Sequence, residues 1–149
     1  MSRLLTAALV LGVAWISWKS LFPTTCAVAP TTDKSGIRFI EDDWDKALLN
    51  ARTGHKRIFM DAYASWCGPC KLLKRTSFKN DSAARFFNDH YINLAMDMEK
   101  GIGPQLLEKF SISAYPTLLI LDENGEVLHR SVGYIPVSKL IEFGQTGLK

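Results

Sequence analysis

Cysteine and histidine are scarce in this chain, with three of each in 149 residues. A scaffold of disulfide-stapled loops needs far more cysteine, so the chain must rely on a hydrophobic core, for which its length suffices. Structural zinc normally takes four Cys or His ligands. The sequence has a single Cys-x-x-Cys and no His-x-x-x-His, and His55, His90 and His129 stand apart from one another, so no metal site is expected. A large charge of one sign is missing too. The formal net charge is +3, and Arg3 and Lys19 are the only charged residues before Asp33, which leaves +1 on the rest. A near-neutral domain has no electrostatic means of holding nucleic acid, and the pI near 8.8 is no sign of it. Repeats and low-complexity tracts are absent, and a 47% hydrophobic, 11% aromatic composition excludes a disordered chain.

What is present is unevenly placed. Nineteen of the first 29 residues are hydrophobic. Met1-Ser2-Arg3 forms a short positive start, and Leu4 to Trp18 is an uncharged run of 15 residues. That length lies between a signal-peptide core and the roughly 20 residues of a full membrane span. Ala27-Val28-Ala29 fits a small-x-small cleavage pattern but is followed by Pro30, and Thr25-Cys26-Ala27 is a weaker match. Trp15 and Trp18 at an interface, with Lys19 snorkelling, fit an uncleaved anchor. Residues 1–29 are therefore expected to be a signal peptide or membrane anchor, 30–36 a linker, and 37–149 the folded domain. Either fate of the segment places that domain outside the cytoplasm, in a periplasm or on the outer face of the cytoplasmic membrane. Cys26 follows Pro23-Thr24-Thr25, unlike a lipobox, and is expected to be a bystander thiol.

The remainder alternates strand and helix patterns. Strands are expected at 37–40, 57–63, 91–96, 117–121 and 127–132, the last two joined by a turn at Glu123-Asn124-Gly125-Glu126. Helices are expected after Asp42 or Asp43 up to Gly54, from about Cys67, from Asp81, over 104–110 and from Pro136. This order implies an α/β domain with a mixed sheet covered on both faces.

Chemistry concentrates at Trp66-Cys67-Gly68-Pro69-Cys70-Lys71. Two cysteines at this spacing can close a small disulfide ring. Cys67 at a helix start would meet unpaired N–H groups and the positive end of the helix dipole, which favour a thiolate, the attacking form. Cys70, one turn later, would be the more buried and would resolve the mixed disulfide that Cys67 forms. Pro69 suits a first helical turn, and Gly68 leaves the approach open. A purely structural role fits poorly, because so short a loop removes little chain entropy.

Ala64-Ser65-Trp66-Cys67-Gly68-Pro69-Cys70-Lys71 resembles the active-site motif of thioredoxins, and the resemblance runs from about Ile37 to Phe143. It implies a thioredoxin fold, a central mixed sheet flanked by helices. It further implies that Asp61, six residues before Cys67, is a buried acid that exchanges a proton with Cys70. Tyr115-Pro116-Thr117 matches the cis-proline loop, where the backbone of residue 115 would pair with an extended substrate beside Cys67. Trp66 would shield the disulfide and line the contact surface, and Val132-Gly133 matches the other lip of the groove. The pattern departs from the family at Asn93, where thioredoxins place a lysine near the acid, so the charge partner of Asp61 is expected to be missing. The spacing between Asp97 and Pro116 is more similar to extracytoplasmic relatives, above all the soluble reductase domain of transmembrane thiol-disulfide interchange proteins.

The expectation is an enzyme that exchanges dithiols and disulfides without a cofactor. It would reduce protein disulfides and be recharged by a membrane electron donor of the interchange type. The Gly68-Pro69 dipeptide favours reduction. A disulfide oxidase, an isomerase and a cytochrome c maturation reductase are same-class alternatives. A tethered binding module or copper chaperone is one of another class. A chaperone would add a nearby His or Met, but Met96 alternates with apolar strand residues and is expected in the core.

Overall fold

A computed structural model describes residues 35–149. The first 29 residues, Cys26 and most of the expected linker lie outside the described residues. Among those described, no helix is long and apolar enough to cross a membrane.

Five strands form one sheet in the order β1-β3-β2-β4-β5: β1 (Ile40–Glu41), β2 (Arg57–Tyr63), β3 (Tyr91–Asp97), β4 (Thr117–Leu121) and β5 (Val127–Val132). β1, β3 and β2 are parallel, and β4 and β5 run antiparallel to their neighbours. The helices are α1 (Trp44–Gly54), α2 (Gly68–Arg75), α3 (Asp81–His90), α4 (Gly103–Lys109) and α5 (Val137–Thr146). Side chains alternate across β2. Ile58, Met60 and Ala62 join a core with Trp44 and Ala47 of α1 and Leu106 of α4, while Phe59 faces Leu73 of α2, Phe87 of α3 and Leu140 of α5. This is the mixed sheet, covered on both faces, that the strand and helix patterns imply. Met96 is in the core as expected, and Met98 is buried with it.

The first strand is shorter than its pattern and begins where the pattern ends. Ile37 N–H donates to the Phe78 carbonyl and Arg38 N–H to Asn88 Oδ1. These backbone groups are therefore bound to the segment before α3 and to α3 itself, and leave only Ile40–Glu41 for the ladder. Of the two candidate caps for α1, Asp43 accepts the Lys46 N–H at 3.0 Å. Asp42 instead accepts the Asp97 N–H at 2.7 Å, which ties β1 to the end of β3.

Gly103, the first residue of α4, sits where the chain folds back onto the end of β3. A Cβ there would overlap the Asp97 carbonyl oxygen and lie 2.8 Å from Met98 Cα. Backbone cannot yield as a flexible side chain does. Gly103→Ala should therefore cost about 1–3 kcal/mol, read as a lower denaturant midpoint.

Candidate active site

Cys67 and Cys70 are joined in a disulfide with Cα atoms 5.4 Å apart. Cys67 is the N-cap of α2, and its Sγ accepts the Cys70 backbone N–H at 3.1 Å. One of the orphan donors of the helix start is thus aimed at this sulfur, and no carboxylate stands in the first turn of α2 to oppose the dipole. Pro69 occupies the first turn, where it removes no helical hydrogen bond. Gly68 faces open space. Burial does not separate the two cysteines, which are 2% and 1% exposed. Position in the helix does: Cys67 caps it and Cys70 lies within it.

The pair packs against Ala64, Tyr63 and Tyr115. Tyr115 precedes Pro116 through a cis peptide bond. Trp66 is 65% exposed and meets the Tyr115 ring edge-on at 6.0 Å, and its Nε1–H donates to Glu99 Oε2 at 2.8 Å. Gly133, with φ of +90°, donates its N–H to the Pro116 carbonyl at 2.7 Å. The left-handed backbone there favours glycine, and the bond joins the loop after β5 to the cis-proline loop. Tyr134, next in the chain, brings its hydroxyl to 3.4 Å from Thr76 Oγ1 at the end of α2. Trp66, Leu72, Val132 and Tyr134 leave apolar surface exposed on the elements around the pair.

Asp61 lies at the middle of β2, on the sheet face that α2 covers. It is completely buried, and neither carboxylate oxygen has a hydrogen-bond partner. Loss of solvation raises its pKa from 3.8 to about 7, with Lys74 pulling it down and Glu41 pushing it up. Asn93, which stands where the family resemblance implies a lysine, directs its amide nitrogen to the Arg38 carbonyl and Asn88 Oδ1. The nearby positive charge comes from α2 instead, as Lys74.

Most of the residues singled out from the sequence converge here: Trp66, Cys67, Gly68, Pro69, Cys70, Tyr115, Pro116 and Gly133, with Asp61 on the sheet face beneath α2. Sequence reasoning missed Lys74, Glu41, Glu99 and Tyr134. Lys74 had a local signal, since it follows Cys70 by four residues and so shares its helix face.

A disulfide at a helix N-terminus, beside a cis-proline loop, defines a thiol-disulfide oxidoreductase. A family model described as a thioredoxin-like domain matches residues 44–147, and the chain belongs to that thioredoxin-like family. It is similar to a Bacteroides thetaiotaomicron protein of known solution structure, assigned as a candidate disulphide-isomerase. The two share 42% identity and a TM-score of 0.69 over 77% of this chain and 95% of that one. It is 32% identical over 114 residues to the chloroplastic thioredoxin Y2 of Arabidopsis thaliana, covering 76% of this chain and 63% of that protein. To the thiol:disulfide interchange protein DsbD of Pseudoalteromonas atlantica it is 26% identical over 132 residues, covering 84% of this chain but 22% of the longer protein.

Proposed function

We propose that the domain reduces protein disulfides outside the cytoplasm. In this reading residues 1–29 act as signal or anchor, and a membrane thiol-disulfide interchange partner supplies the electrons. The observation that carries the chemistry is the Cys67 sulfur capping α2, with a helix N–H already aimed at it. The reductase direction draws support from the Gly68-Pro69 dipeptide, and the interchange partner from the similarity to DsbD.

The cycle starts from the reduced pair. The Cys67 thiolate attacks one sulfur of a substrate disulfide, forms a Cys67–substrate bond and releases the first substrate sulfur as a thiolate. Cys70 gives its proton to the Asp61 carboxylate, and its thiolate attacks Cys67 Sγ. The Cys67–Cys70 bond forms, the Cys67–substrate bond breaks, and the second substrate sulfur leaves. Two electrons have passed to the substrate, and the interchange partner's dithiol returns them to the pair. Tyr115 and Gly133 bound the groove in which an extended peptide would lie, and Trp66 covers the side next to Cys67.

Insulin supplies a convenient substrate. With dithiothreitol as electron source, the wild type should accelerate reduction of insulin disulfides well above the uncatalysed rate; a rate equal to that of the buffer would contradict the proposal. The midpoint of the Cys67–Cys70 couple against glutathione or thioredoxin-type couples should lie below about −200 mV. A markedly more oxidising value would reassign the domain to disulfide formation or isomerisation. The likeness to the disulphide-isomerase candidate makes that the competing reading.

A further inference from the structure

Asp61 is surrounded by an arrangement that the motif does not contain. In the sheet register, Asp61 on β2 and Glu41 on β1 both pair with Ala95 of β3, so they occupy one row on one face. Only a methyl group stands between the two acids. The other neighbour of Asp61 in that row, Leu118 on β4, is apolar. From α2, Lys74 shares the inward face of Cys70 and places Nζ 3.6 Å from the centre of the Tyr63 ring, one pleat beyond Asp61. Lys74 and Glu41 together line an open cavity of about 150 Å³ with Ile37, Phe39 and Phe78. The charged groups facing Asp61 are thus Lys74 from the helix layer and Glu41 from the sheet edge, with Tyr63 along its own strand.

We propose that Lys74 is a positioning residue for the proton acceptor, its ammonium fixed over Tyr63 and opposed by Glu41 across Ala95, so that these two charges govern when Asp61 takes the Cys70 proton. The inference rests on the proposed role of Asp61. A buried carboxyl with no hydrogen-bond partner has only through-space charge to stabilise its ionised form. Lys74 favours that form and Glu41 disfavours it, as the directions of their effects on Asp61 agree. The helix therefore supplies the cation that Asn93 does not.

The test is a carbon-13 NMR titration of the Asp61 carboxyl, paired with the pH profile of insulin reduction. Lys74→Gln should move the Asp61 midpoint and the acid limb of the profile upward by about 0.5–1 pH unit, and Glu41→Gln should move both downward by a similar or smaller amount. Lys74→Arg should restore the wild-type midpoint. A structural role for either residue would not give opposite shifts. Unchanged midpoints in both Gln variants, or shifts of the same sign, would overturn the proposal. Failure of the Asp61 reading shows differently: the acid limb would persist in Asp61→Asn while the NMR midpoints of the other variants still moved.

Discussion

Cys67→Ser should reduce disulfide-exchange activity to the uncatalysed background while leaving the fold intact. A serine hydroxyl at the α2 N-cap can still accept the Cys70 N–H that the sulfur accepts now, and serine is among the favoured capping residues. Local structure is thus preserved. What disappears is the nucleophile, because a hydroxyl does not ionise near neutral pH and cannot form a disulfide with substrate or with Cys70. The expected result is a normal thermal melt with no insulin reduction. Retained activity would mean that another thiol attacks. Glu99, just after β3, accepts the Trp66 indole N–H beside Cys67, a bond this substitution leaves in place.

Asp61→Asn should make the protein more stable at alkaline pH and slower as an enzyme. The unfolded carboxyl titrates near 3.8 and the folded one near 7, raised chiefly by burial. Below about pH 4 it is neutral in both states and has no effect on stability. Between about pH 4 and 7 the unfolded chain ionises while the folded one stays protonated. The folded state therefore loses about 1.4 kcal/mol for each unit of pH. The loss levels off above the folded pKa at about 4 kcal/mol, and asparagine, having no proton to lose, escapes it. Denaturant midpoints should separate the two proteins by about that amount at pH 8.5, with the gap closing toward pH 4. The variant's reduction rate should fall, because Cys70 loses its proton acceptor. Equal stabilities at all pH values would show that the carboxyl is not held in an apolar site.

The chemistry was legible in the sequence because its carriers are local. Trp66 to Lys71 are contiguous and become a capped helix start without help from distant residues, and Asp61 sits six residues upstream on the strand that feeds it. Tyr115-Pro116 and Gly133 were found through likeness to a family motif. The tuning of the site was not legible, because it depends on register. Glu41 reaches the row of Asp61 only through a two-residue strand, and that strand could not be placed while the pattern marked 37–40. Asn93 sits on β3 as the family resemblance implies, yet its amide is engaged by Arg38 and Asn88. Trp66 and Glu99 are 33 residues apart, and nothing in either segment announces their bond. The relative burial of the two cysteines also escaped the sequence, since packing against Ala64, Tyr63 and Tyr115 encloses both.

The central claim is a division of labour, with Cys67 attacking and Cys70 resolving. Cys70→Ser tests it most directly. Incubated in reduced form with a disulfide-containing protein and mapped by mass spectrometry after alkylation, this variant should accumulate a mixed disulfide at Cys67. Adding Cys67→Ser should abolish it. A variant that turns over normally, or one that forms no adduct at Cys67 while Cys67→Ser forms one at Cys70, would contradict the account.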